Sequence, residues 1–336
     1  MEGFRRVIIS RTDSIGDVVL TLPMAGLIKR KFPKTEILFL GQSYTRDVIN
    51  SCIHVDTFVN WDDLRKQNDE SAVRMIKALN SDAIFHVFPN PEVARLARKA
   101  GIPYRLGTTN RLYHWSTCNK LVRLSRRRSK LHEAQLNLAL ISNITGEKHT
   151  DLDSIKTMYG FTTLAPLSKE FSSLLDTDKF KLILHPKSKG SAREWGMDNF
   201  IKLCKALSPH KYRIFISGTS KEGELMKDSG IFETEHVTNI TGQMNLQQFM
   251  SFIGHCDGLV AASTGPLHLA AAMGKTAIGI YPPIRPMHPG RWAPIGVKAT
   301  FLVKDKECSD CRSGGPCQCM LDIQPEDVIR TLEGMS

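Results

Sequence analysis

The chain has 336 residues, 45 of them Lys or Arg against 34 Asp or Glu, for a formal net charge of +11. Its 41% hydrophobic and 24% charged content is that of a globular protein with a sizeable core, and the length favours two domains over one. No apolar run reaches a membrane span, and the basic start Met1–Ser10 lacks the apolar stretch of a secretory signal, so the chain is expected to stay in the cytoplasm and at most touch a membrane from that side.

In chain order, Val7–Ile9 reads as a strand and Val18–Lys31 has helical spacing. A strand at Glu36–Leu40, a helical Tyr44–Cys52, a strand at Ala83–Phe88 and a helix over Pro91–Ala100, ended by Gly101, follow. Residues Gly160–Phe171 are mixed and read as a linker. The rhythm restarts with a strand at Lys181–Leu184, a helix over Asp198–Leu207, a strand at Tyr212–Ile216, and helices over Lys221–Asp228 and Leu246–His255. Strands Gly258–Ala262 and Thr276–Tyr281 flank a helix over Leu267–Met273, and a last helix starts near Pro325. Alternating strands and helices imply an α/β fold of two doubly wound, Rossmann-like domains with a cleft between the carboxyl ends of their strands. The expected bounds are 1–165, 176–322 and a C-terminal helix over 323–336.

Two junctions carry chemistry. Ser263-Thr264-Gly265-Pro266 joins a buried strand to a helix, with hydroxyls able to cap and a proline at a first-turn position. Such a junction offers free N–H groups and the helix dipole to an anion, and Gly265 lets a diphosphate approach the backbone. The loop Ser10–Asp17 leads from the first strand into a helix; Asp17 or Asp13 can cap that helix, and if Asp13 does so, Asp17 is left for chemistry.

Charge is uneven: residues 1–160 hold 25 basic and 16 acidic residues, the remainder 20 and 18. Arg95–Lys130 holds eleven basic residues and no acidic one. A solvated basic loop is the plain reading, and no nucleic-acid reader motif accompanies the charge. An anionic lipid surface, or a phosphorylated or carboxylated substrate, fits at least as well as nucleic acid, and no nucleic-acid partner is expected.

These stretches together resemble glycosyltransferase family 9, the ADP-heptose:lipopolysaccharide heptosyltransferases. The resemblance rests on Arg11-Thr-Asp-Ser-Ile-Gly-Asp17 with Leu22-Pro23, Phe88-Pro-Asn90 with Arg95, and Ala100-Gly-Ile-Pro-Tyr-Arg105-Leu-Gly107. It continues through His185-Pro-Lys-Ser-Lys-Gly-Ser-Ala-Arg-Glu-Trp195, Gly218 with Glu222, Thr241-Gly-Gln-Met244 and Ser263-Thr-Gly-Pro-Leu-His268. Three positions depart from the family pattern: Ser263 where an acidic residue is usual, Arg193 where a lysine is common, and Gly196 where a proline follows the tryptophan.

The resemblance implies a GT-B fold and an inverting transfer of heptose from ADP-heptose to an anionic, lipid-linked lipopolysaccharide inner-core acceptor, with no cofactor required for catalysis. Asp17 is the expected general base. The donor would lie on Lys187, Lys189, Arg193, Glu222, the backbone near Met244, Ser263, Thr264, Gly265, Leu267 and His268. Arg11, Asn90, Arg95 and Arg105 would meet the acceptor, and Arg126–Lys130 would attract the enzyme to the cytoplasmic membrane surface, making it peripheral there. An epimerase-like enzyme of the same fold, or a non-catalytic nucleotide-sugar-binding protein, are the alternatives. Cys308, Cys311, Cys317 and Cys319 have the paired spacing of a thiolate site for a structural zinc or iron ion, while Cys52, Cys118, Cys204 and Cys256 read as small core residues.

Overall fold

The computed structural model describes residues 3–126, 129–162, 164–188, 190, 192–304 and 317–335. The chain divides into two compact units, Met1–Thr163 and Leu164–Ser336. No helix among the described residues is long and apolar enough to cross a membrane.

The first unit is built on six parallel strands: β1 (Arg6–Ser10), β2 (Glu36–Gly41), β3 (Thr57–Asn60), β4 (Ala83–His86), β5 (Tyr104–Thr108) and β6 (Lys120–Val122). Their spatial order is β3-β2-β1-β4-β5-β6. The chain winds one way from β1 to β3 and the other way from β4 onward, so the carboxyl ends of β1 and β4 mark the switch point. Ser10 pairs in register with His86 there. Asn90 starts the helix Pro91–Lys99 by accepting from the N–H groups of Glu92 and Val93 at 3.0 and 3.3 Å. That helix buries Val93, Leu96 and Ala97 against Ile8, Leu38 and Ile84 of the sheet. Val93 and Leu96 each contribute roughly 1.5–3 kcal/mol by leaving water.

The second unit repeats the plan with β7 (Phe180–His185), β8 (Tyr212–Ile216), β9 (Val237–Asn239), β10 (Gly258–Ala262), β11 (Thr276–Tyr281) and β12 (Ala299–Val303). The order β12-β11-β10-β7-β8-β9 places its switch point between β7 and β10. The terminal helix Pro325–Met335 packs onto this unit's core through Val328 and Leu332, beside Trp195 and Phe200. Trp195 meets Phe200 edge-on at 4.9 Å and donates its indole N–H to the Ile323 carbonyl at 2.8 Å.

The structure corrects the sequence reading in several places. The single helix expected over Val18–Lys31 is two, Ile15–Val19 and Leu22–Lys31, because the chain breaks before Pro23 and Asn137 takes up the freed Leu20 carbonyl at 3.0 Å. Five strands were not anticipated: β3, β5, β6, β9 and β12. Four of them are sheet edges. The stretch read as a linker, Gly160–Phe171, runs into a helix of the second unit, Lys169–Leu174.

Candidate functional site

In the first unit, the loop after β1 is packed with charge. Arg11 is 3% exposed and faces three carboxylates. Its Nε donates to Asp13 at 2.7 Å, one terminal nitrogen donates to Asp17, and the other reaches Glu133 at 3.2 Å. Ser14 donates its hydroxyl to the second Asp17 oxygen. Burial works against the Arg11 charge, but Asp13, Asp17 and Glu133 together hold its pKa above the ordinary value. Burial, with the neighbouring Asp17 and Glu133, pushes Asp13 up to about 7 even though Arg11 pulls the other way. Asp17 itself is 18% exposed, so it is fixed from below and still reachable from solvent.

Glu133 is only 1% exposed and lies on the helix Glu133–Leu140. It accepts from Arg126 at 2.9 Å as well as from Arg11. Asn137, one turn on, accepts from both guanidiniums at 3.4 and 3.0 Å and donates to Leu20 and Thr21. Arg126 also reaches the Val87 carbonyl at 3.1 Å, just past β4. One helix thus ties the two arginines to both strand ends at the switch point.

The expected acceptor residues separate here. Arg11 is consumed by the carboxylates and acts as the support of Asp17. Asn90 caps its helix and donates to Thr12 at 3.4 Å, which links the β4 loop to the β1 loop. Arg95 pairs with Asp69, which also takes Lys99 at 2.8 Å. Arg105 donates to the Thr117 carbonyl at 2.8 Å and to that of Ile102. Neither Arg95 nor Arg105 shares a partner with Arg11 or Asp17. Arg126, expected to serve membrane attraction, is folded into the Glu133 network instead; Arg127 and Arg128 lie outside the described residues. Neither Asp13 nor Asp17 caps a helix: the cap position is Ser14, without a side-chain cap bond.

In the second unit, the switch-point ends behave differently. After β10, Thr264 occupies the cap position of the helix Gly265–Ala272, and no side chain caps it. Ser263 was expected to share that capping role; it lies instead beside the Tyr281 phenol. The Thr264 hydroxyl is buried, the residue being 4% exposed, and has no hydrogen-bond partner among the described residues. The N–H groups of Gly265 and Leu267 fall at the helix start, where no intrahelical acceptor exists. The Leu267 side chain itself belongs to the core, and His268 is buried.

After β7, His185 meets the Ser217 hydroxyl at 2.9 Å. Glu194 braces the following loop by accepting from Lys187 at 3.1 Å and from the Ser188 N–H at 3.1 Å. Arg193 is half-buried, and Lys189 lies outside the described residues. Gly196 has φ of 96°, which a proline ring cannot adopt; this accounts for the missing proline.

Glu222 is buried and closes a capping box, taking the Thr219 N–H at 2.7 Å while Thr219 takes the Glu222 N–H at 3.3 Å. Gly242 donates to the Gly218 carbonyl at 2.9 Å, which brings the loop carrying half-buried Met244 against the Glu222 helix start. Cys317 and Cys319 are buried in the second core, whereas Cys308 and Cys311 lie outside the described residues. No cluster of three or more metal-ligating side chains occurs among the described residues.

Sequence reasoning missed Glu133, Asn137 and the placement of Arg126. Glu133 is 122 residues from Arg11 and carries no local signal. Asp13, four residues before Asp17, was weighed only as a cap.

Two Rossmann-like units of parallel six-stranded sheets, each with polar groups gathered at its switch point, have the plan of the GT-B fold. The model of glycosyltransferase family 9 (heptosyltransferase) matches residues 72–319, and the chain belongs to that family. A putative glycosyltransferase of Haemophilus influenzae is 26% identical over 303 residues, covering 86% of each chain. The glycosyltransferase family 9 structure from Veillonella parvula superposes with a TM-score of 0.77 at 19% identity, covering 100% of this chain and 98% of the other. ADP-heptose lipopolysaccharide heptosyltransferase II of Escherichia coli does so with a TM-score of 0.74 at 18% identity, covering 98% of both.

Proposed function

We propose that this enzyme transfers a heptose from ADP-heptose to a hydroxyl of an anionic, lipid-linked inner-core saccharide, with inversion at the anomeric carbon and with Asp17 as general base. The observation that carries the reading is Asp17 itself. It is a solvent-reachable carboxylate at the carboxyl end of β1, oriented by Arg11 and Ser14 and backed by a buried network.

In the proposed reaction the acceptor hydroxyl gives its proton to Asp17 as its oxygen bonds to the anomeric carbon. The bond from that carbon to ADP breaks, and both electrons leave with the diphosphate. The second unit takes that growing negative charge. The helix start at Gly265–Leu267 and the unpaired Thr264 hydroxyl suit a diphosphate oxygen, and Lys187 and Arg193 supply positive charge. Glu222 has one oxygen held by Thr219, which leaves the other for ribose hydroxyls, and the backbone near Met244 is suited to the adenine edge.

The test is a nucleotide screen joined to a transfer assay. ADP and ADP-heptose are expected to raise the melting temperature more than UDP or GDP sugars, since a ligand at about 100 times its dissociation constant adds roughly 2.7 kcal/mol. Heptose should then appear on a water-soluble inner-core saccharide. Equal shifts for all bases would remove the adenine assignment, and release of ADP without a glycosylated acceptor would remove the acceptor assignment.

A further inference from the structure

We propose that the margin of the first unit formed by the helix Leu112–Thr117 and the edge strand β6 docks on an anionic bilayer surface. The inference rests on the lipid-linked acceptor proposed above and names the surface that would bring the enzyme to it.

Leu112 is 90% exposed and Trp115 63%, three residues apart and therefore neighbours on one helix face. The same helix is anchored from its other side. His114 is fully buried and accepts from the Thr108 N–H at 2.9 Å, and Thr117 is buried as well. The Trp115 indole donates to the Thr109 carbonyl at 3.0 Å, so the ring is held in place while most of its surface meets solvent. Two large apolar side chains are thus presented together on a firm base.

Charge singles out the partner. Of the basic residues between Arg95 and Lys130, Arg95 and Lys99 are spent on Asp69, Arg98 on the Ser116 carbonyl, Arg105 on that of Thr117, and Arg126 on Glu133. Arg111, Lys120, Arg123 and Lys130 are exposed and form no ion pair among the described residues. Arg111 sits at the cap position of the Leu112–Thr117 helix, Lys120 opens β6 and Arg123 follows its end. β6 is the last strand of the sheet, and the helix leads into it from β5, packed on β5 and on the helix Pro91–Lys99.

An exposed apolar pair that follows directly on Arg111, in a segment that holds further exposed cations and no acidic residue, matches a bilayer of anionic lipids. Leu112 and Trp115 would enter the boundary between headgroups and acyl chains, and the cations would face lipid phosphates.

The experiment is co-sedimentation of the full chain with two kinds of vesicle, phosphatidylcholine mixed with phosphatidylglycerol, and phosphatidylcholine alone. The wild type is expected to bind the mixed vesicles and to release them as salt rises. Leu112→Gln with Trp115→Gln should weaken that binding by about tenfold or more. Arg111→Gln with Arg123→Gln should weaken it and flatten its salt dependence. The second pair makes no buried contact, so it carries the test if the first pair disturbs folding. Transfer to a water-soluble acceptor should be unchanged in both. Vesicle binding indifferent to both pairs, or equal on the two vesicle types, overturns the proposal. So does a fall in oligomer size in the Leu112/Trp115 variant with vesicle binding intact, which would make this face a contact between copies of the chain. If vesicle binding behaves as expected but no transfer to the soluble acceptor occurs, the reaction assignment fails and the docking surface stands.

Discussion

The loop after β1 and the junction after β10 each stand at the switch point of their own sheet, one after the first strand of its unit and the other after the fourth, and they are finished in opposite ways. After β1, Arg11, Asp13, Asp17, Glu133 and Arg126 satisfy one another, and the network's product is one oriented carboxylate. After β10 no side chain among the described residues closes the helix start, and the Thr264 hydroxyl is buried with no partner among them. A buried hydroxyl left unpaired costs about 1–3 kcal/mol, a cost that a bound oxygen atom can remove. One end is closed by its own side chains, and the other leaves the opening that the proposed donor site uses.

The sharpest way to break this contrast is Asp17→Asn. It keeps the shape and removes the base, so turnover should fall by about 10²–10⁴-fold while the ADP-induced melting shift stays the same. Near wild-type turnover at saturating acceptor would make Asp17 a structural member of the network.

Glu133→Ala asks whether the network is structural support. Removing one partner of a buried ion pair costs about 3–5 kcal/mol, because the remaining charges stay buried. Urea unfolding should move by that order, and turnover should fall because Arg11 no longer holds Asp17 firmly. A stability change below about 1 kcal/mol would show that the network is already open to water.

Thr264→Val is the matching test in the second unit, with the opposite sign. Deleting an unpaired hydroxyl should leave stability level or slightly higher, whereas losing its bond to a charged oxygen should raise the donor KM by about 10–100-fold. If the variant is instead destabilised and donor KM is unmoved, the hydroxyl has a structural task.

The smallest effect is a pH dependence. Asp13, raised to about 7, is protonated below that pH. Arg11 is then shared by Asp17 and Glu133 alone; as Asp13 ionises, it takes part of the Arg11 charge and loosens the hold on Asp17. kcat/KM should therefore fall as pH rises through a limb near 7, and Asp13→Asn should erase the limb. Stability runs the same way: the folded protein binds this proton between the ordinary carboxylate range and about 7 while the unfolded chain does not, so this group's contribution falls as pH rises across that window. An unchanged limb in Asp13→Asn would assign it to another group.

The alternation of apolar runs and helices by itself determined the two-unit α/β plan, and it located the interior strands best. β10, β11 and β8 were read with their observed bounds, since strands buried on both faces are continuous apolar runs. Edge strands such as Thr57–Asn60 and Lys120–Val122 are half solvated and carry no such run, and in β5 Arg105 and Gly107 interrupt it. The sequence also marked the Ser263–His268 junction and Asp17, because small, turn-forming and capping residues are local signals. Only the tertiary structure decided how those residues are used. It brought Glu133 to Arg11 across 122 residues, turned Arg126 inward and Arg95 toward Asp69, and left Leu112 and Trp115 in the open. Ion pairing and burial depend on which distant segments the sheet order brings together, and that order is written across the whole chain.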